Sequence, residues 1–231
     1  MLLGKTVSYE IRRSTDATKP RIDVDINGVR VTVPEGSPTD PETILSENAA
    51  WVIEKKRKYD EYREQIPDRK YEPGETFPYL GEEYEVVVEQ RPSSQIIGNE
   101  LRLAKHHVEQ TSVKRALETM YRRKAREYFE EQANQFAEEM GVEYKQIEVR
   151  NQRTKWGSCS TTGTLGLNWR LMMAPPRVVD YVIVHELAHL RESNHTAEFW
   201  SLVAEYDPEY EAHARWLEEN STQLIFSKTD L

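Results

Sequence analysis

The segment Arg177–Leu190 reads RVVDYVIVHELAHL. Its apolar residues recur at nearly every angle around a helix instead of along one stripe, and such a helix is stable only when other elements cover its sides. The chain must therefore build a core around this segment. Pro175-Pro176 stands just before it, where the first helical turn tolerates a missing N–H. Burying ionisable groups is costly unless something compensates them. His185, Glu186 and His189, inside this segment, thus need a chemical reason to be there.

His185-Glu186-Leu187-Ala188-His189 has the form H-E-x-x-H. Residues four apart on a helix project from one face a turn apart, so two imidazoles at this spacing can chelate one ion. Glu186 points slightly away from that pair, where its carboxylate reaches a water on the metal instead of the metal itself. A catalytic zinc takes three protein ligands and keeps one position open. His195, six residues beyond His189, is the expected third ligand. The helix is expected to end near Ser193-Asn194, with Asn194 in the left-handed conformation. His195 then opens a following helix that packs back through Phe199, Leu202 and Val203. These residues predict Zn2+ as cofactor: it lowers the pKa of a bound water from about 15.7 to about 7 while Glu186 takes the proton. Glu186 can return that proton to the leaving amine. A purely structural zinc would need a fourth ligand and no base.

The 231 residues suffice for one well-packed domain, or for a catalytic domain with a smaller one in front. Cys159 is the single cysteine, which excludes an intrachain disulfide and a thiolate cluster and leaves histidine and carboxylate as metal donors. No run approaches the roughly 20 apolar residues of a membrane helix, and the N-terminus lacks a signal-peptide pattern. The expectation is a cytoplasmic protein without membrane partners. A net charge of −9 argues against wholesale nucleic-acid binding. The stretch Leu101–Arg126 nevertheless carries Arg102, Lys105, Lys114, Arg115, Arg122, Arg123, Lys124 and Arg126 against Glu109 and Glu118. It reads as a solvated helix face with i,i+4 pairs; contact with nucleic acid or a phosphorylated substrate is the less favoured reading.

Asn27-Gly28 predicts a two-residue hairpin turn that sets Ile26 opposite Val29, Val24 opposite Val31 and Ile22 opposite Val33. Helical spacing through Leu45, Val52 and Tyr59 predicts an amphipathic helix from Pro41 to about Gln65. Short strands follow from Tyr71 to about Gln110, clearest at Tyr84–Val88. Val113, Leu117, Tyr121, Tyr128, Phe136 and Met140 mark a long helix ending at Gly141. Gln146–Cys159 and Thr164–Met172 are expected to form an antiparallel pair through a turn at Thr161-Thr162-Gly163.

The run Lys155-Trp156-Gly157-Ser158-Cys159-Ser160, then Leu165–Leu171 (LGLNWRL), Pro176 and HELAHLRESNHTAEFW resembles the YgjP-like metallopeptidase family of predicted metal-dependent hydrolases. That family is in turn similar to the SprT group of zincin proteases. The likeness extends to the N-terminal hairpin and keeps the order of the family's elements. It implies an α+β, zincin-like metallopeptidase core in which a small sheet packs on the H-E-x-x-H helix and an edge strand holds an extended peptide. It also implies His185, His189 and His195 as ligands and Glu186 as the catalytic residue. The histidine spacing matches that of the metzincins, but Glu192 stands where those proteins carry a glycine midway between the second and third histidine.

The expected organisation is an N-terminal β-rich section with one helix over residues 1–110 and the catalytic domain over 111–231. The expected activity is zinc-dependent hydrolysis of peptide bonds in a peptide or protein substrate. The alternative is metal-dependent hydrolysis of nucleotides or other phosphate esters, against which the absence of a glycine-rich phosphate loop counts. Trp156 and Cys159 are read as core packing and Asn168 as satisfying backbone groups. His213 is read as a surface residue, with donation to a developing oxyanion as its other role. His106-His107, being neighbours, point to different sides and do not chelate together.

Overall fold

The structure is a computed structural model describing residues 2–25, 27–152 and 154–227. It divides into two compact units, one within Met1–Asp68 and one formed by Arg69–Phe226. The boundary expected after residue 110 thus falls some forty residues earlier. The reason is apolar burial: Phe77, Val86, Leu101 and Leu103 share one core with the long helix and the motif helix, so the sheet carrying them belongs to the second unit.

In the first unit β1 (Tyr9–Ser14), β2 (Arg21–Asp25) and β3 (Gly28–Pro34) form a sheet of order β1-β3-β2, with β1 parallel and β2 antiparallel to β3. The hairpin is present in a register two residues from the expected one: Val24 faces Val29 and Ile22 faces Val31. Asp25 Oδ1 accepts from Asn27 N at 2.7 Å, an Asx turn that closes the loop one residue earlier than an Asn-Gly turn would. Ile26 lies outside the described residues. A shift of two preserves the face, so Val29, Val31 and Val33 remain buried, together with Leu45, Ala49 and Val52. The helix expected over 41–65 is two helices, α1 (Pro41–Glu47) and α2 (Ala49–Glu64), broken at Asn48 (φ −109°, ψ 16°). The Asn48 amide donates to Ile44 O at 2.9 Å, an example of a short polar side chain competing with the helical ladder.

In the second unit β4 (Thr76–Tyr79), β5 (Glu82–Glu89), β6 (Gln95–Ile97) and β7 (Glu100–Ala104) form a sheet of order β4-β5-β7-β6. Then come α3 (Lys105–Gln110) and α4 (Val113–Met140), the latter closed by Gly141 at φ 64° as expected. A second sheet contains β8 (Gln146–Arg150), β9 (Gly157–Cys159) and β10 (Thr164–Asn168), followed by α5 (Pro176–Ala188), α6 (Ala197–Tyr206) and α7 (Tyr210–Asn220). The expected antiparallel pair holds only for β9 with β10; β8 lies on the other side of β10 and runs parallel to it. The chain between β8 and β9 crosses over instead of continuing one strand. Asn168 draws that crossing segment in by donating to Gln152 O (2.8 Å) and Lys155 O (3.2 Å).

The architecture is α+β, and a small sheet packs on the motif helix: α5 meets β9 and β10 on one side and α4, α6 and α7 elsewhere. Val179, Ile183, Val184, Leu187 and Ala188 are fully buried, as a helix apolar all round requires. Among the described residues, no helix is long and apolar enough to cross a membrane.

Candidate metal centre

His185 lies in the last turn of α5 and His189 is its C-cap residue, in right-handed helical geometry (φ −63°, ψ −16°). The regular helix therefore ends well before Ser193-Asn194, and Asn194 is not left-handed. The chain leaves through a tight turn in which Leu190 N donates to Leu187 O, and Arg191 N and Glu192 N to Ala188 O. His195 does not open α6. Thr196 caps that helix, its side chain accepting from Phe199 N, so His195 stands on irregular chain just before the cap.

These segments bring the three histidines together: one ligand atom from each lies within 4.8 Å of the others. His195 Nε2 is 3.0 Å from His185 Nε2. Two nitrogens each 2.0–2.1 Å from a tetrahedral zinc would be about 3.3 Å apart, so this pair needs little adjustment to share an ion. His189 Nδ1 is 3.1 Å from Glu192 O. Donation there leaves Nε2 as an acceptor, the usual outer support of a metal-binding imidazole. Burial, followed by the neighbouring His189 and His195, lowers His185 to about 4, and burial also lowers His189. Both shifts favour the neutral imidazole at His185 and His189, the form that binds metal. Phe199 is fully buried and forms the floor of the cluster, its ring centroid 4.9, 4.6 and 4.7 Å from those of His185, His189 and His195.

Glu186 is only 6% exposed and lies against β9. A Cβ at Gly157 would come within 2.6 Å of Glu186 Cγ and 2.8 Å of its Cδ, so the glycine is what leaves room for the carboxylate. Burial pushes Glu186 up to about 7, with Lys155 opposing. A carboxyl whose folded pKa exceeds its unfolded value contributes stability below the unfolded value, and this is lost as pH rises through the folded one. Glu186→Gln is accordingly expected to stabilise chelator-stripped protein at pH 8 by on the order of 3 kcal/mol, with little difference at pH 4. Denaturant titrations of both proteins at the two pH values check this; an equal difference at pH 4 and pH 8 would refute it.

β9 is an edge strand. Asn168 N donates to Trp156 O and Ser160 N to Thr164 O, both at 2.9 Å, with Ser158 opposite Gly166 between them. Antiparallel alternation then turns the N–H and C=O of Gly157 and Cys159 away from β10, outward from the sheet beside Glu186. Cys159 is half-buried, and burial and Glu186 both raise its thiol pKa, which opposes a nucleophilic role. Trp156 is half-buried against the core, and buried Asn168 satisfies backbone groups, as expected. His213 is not the surface residue expected: its side chain is 15% exposed and Nδ1 is 2.8 Å from Asp207 Oδ2. His106 and His107 line a separate cavity with Ser94 and Arg123 and take no part in the histidine cluster. The residues that sequence reasoning did not single out for the site are Gly157 and Phe199. The glycine of the W-G-S-C run was the one available signal for the first.

The family model described as YgjP-like, metallopeptidase domain, matches residues 18–220. No curated protein matches the chain. Among solved structures, the metallopeptidase zymogen of Pyrococcus abyssi abylysin aligns at 21% identity and TM-score 0.37, over 42% of this chain and 99% of that one. The metallopeptidase zymogen of Methanocaldococcus jannaschii jannalysin aligns at 23% identity and TM-score 0.37, over 40% of this chain and 96% of that one.

Proposed function

Because the chain belongs to the YgjP-like metallopeptidase family, we propose that it hydrolyses peptide bonds with one zinc ion held by His185, His189 and His195 and with Glu186 as general base. The observation that carries this reading is the convergence of three imidazoles beside a buried carboxyl. When bound, zinc supplies Lewis acidity to the scissile carbonyl and to the attacking water. The rest falls to the chain. An extended substrate adds to the outer edge of β9, where the backbone groups of Gly157 and Cys159 bond it in register. This sets the scissile bond beside Glu186. The carboxylate takes a proton from the attacking water and delivers it to the departing amine nitrogen. The apolar ring of Phe199 keeps water from the far side of the imidazoles.

Hydrolysis of phosphate esters loses its support in the charge pattern of 101–126. Arg115 and Arg122 pair with Glu118, Lys124 with Glu127 and Arg126 with Glu130, so that face is largely compensated.

The test is zinc content by elemental analysis together with cleavage of an unfolded protein substrate and of nucleoside triphosphates. About one zinc per wild-type chain is expected, with peptide cleavage lost on chelation and restored by zinc, and zinc depleted in His189→Ala. A wild type without metal, or one releasing only phosphate, would overturn the reading.

A further inference from the structure

Whereas His185 lies in α5 and His189 caps it, His195 stands on irregular chain, and it is exposed. An imidazole on irregular chain has rotamers to lose when it is fixed, and that entropy opposes metal binding unless the ring is already held. Aromatic packing does the holding. Trp200, in α6, stacks on His195 with ring centroids 5.5 Å apart and planes at 26°. Tyr210, the first residue of α7, stacks on Trp200 in turn at 5.2 Å and 18°. The same indole meets His185 nearly edge-on at 5.7 Å and Phe199 at 5.1 Å and 89°. A ring with near-parallel partners in both His195 and Tyr210 serves to brace its neighbours.

We propose that Trp200, braced by Tyr210, is a positioning residue for the third metal ligand: the stack His195–Trp200–Tyr210 presets the His195 ring and ties metal affinity to the seating of α7. This rests on the reading of His195 as a ligand. Offset aromatic stacking restrains ring rotation through contact area and quadrupole geometry, and outer partners of metal ligands typically tune affinity by about ten- to a hundredfold. Phenylalanine at 200 would keep a ring on His195, whereas leucine would keep bulk without one.

The test compares wild type, His189→Ala, Trp200→Leu, Trp200→Phe and Tyr210→Ala by zinc competition against a chromogenic chelator and by the visible spectrum of the cobalt-substituted proteins. Trp200→Leu is expected to bind zinc about tenfold more weakly and to shift the cobalt bands, and Trp200→Phe to recover most of the affinity. Tyr210→Ala, which does not touch His195, is expected to weaken binding by a smaller factor. Zinc affinity and cobalt bands unchanged in Trp200→Leu, or Trp200→Phe as weak as Trp200→Leu, would overturn the positioning role while leaving the metal site standing. If Trp200→Leu fails to fold, Trp200→Phe and Tyr210→Ala decide, and wild-type affinity in Tyr210→Ala overturns the proposal. Wild type as poor in zinc as His189→Ala would remove the site reading and the positioning role together.

Discussion

Glu186→Gln is expected to lower peptide hydrolysis by about 10²–10⁴-fold while the zinc content stays near one per chain. The amide has nearly the shape of the carboxyl, so it fits the space left by Gly157 and leaves the three imidazoles untouched. What it lacks is a basic oxygen to take a proton from the attacking water. Zinc content and turnover measured on one preparation separate these roles. Wild-type turnover in Glu186→Gln would show that another group is the base, and loss of zinc would show that Glu186 supports the ligands instead.

Gly157→Ala is expected to cost turnover on the order of 10²-fold, again with zinc retained. The new Cβ would fall 2.6 Å from Glu186 Cγ and 2.8 Å from Cδ, closer than carbon atoms approach. Cγ is not the free end of a flexible side chain, and Glu186 is buried, so the carboxylate must shift relative to the imidazoles. A displacement of about 1 Å in a catalytic group is enough for a loss of that size. The same substitution leaves Phe199 and the histidines in place, which is why metal binding should survive. Turnover is measured beside the melting temperature and zinc content. Undiminished turnover in Gly157→Ala would show that the carboxylate's position is not critical.

Part of this architecture is readable along the chain because local chemistry governs it. The i,i+4 spacing of His185 and His189 places both on one face of any helix that forms, and the apolar surround of Arg177–Leu190 requires burial. Gly141 ends α4 because glycine adopts the left-handed conformation at no steric cost. The long helix, the strand at Tyr84–Val88 and the hairpin near Asn27-Gly28 are legible for similar reasons.

Other features escaped for a common cause, which is competition between local preference and contacts distant in sequence. A glycine beside an asparagine favours one turn, but the Asp25 side chain closed another. Periodicity marks Gln146–Cys159 as extended without saying which edge of β10 each half joins, and Asn168 holds the crossover only once the fold exists. The affiliation of the 76–104 sheet depends on where its apolar face finds cover, which no local window contains.

The same division runs through the site. Residue types and spacing along one helix suffice to propose His185, His189 and Glu186 as candidates, because helix geometry turns sequence separation into direction. The proximity of His195 depends on a turn after Ala188 and on the packing of α6. The cradle at Gly157, the Phe199 floor and the Trp200–Tyr210 brace join residues on different elements. Those contacts, and the burial that lifts Glu186 to about 7, come into being only when the elements pack, since desolvation belongs to the assembled interior and to no residue alone.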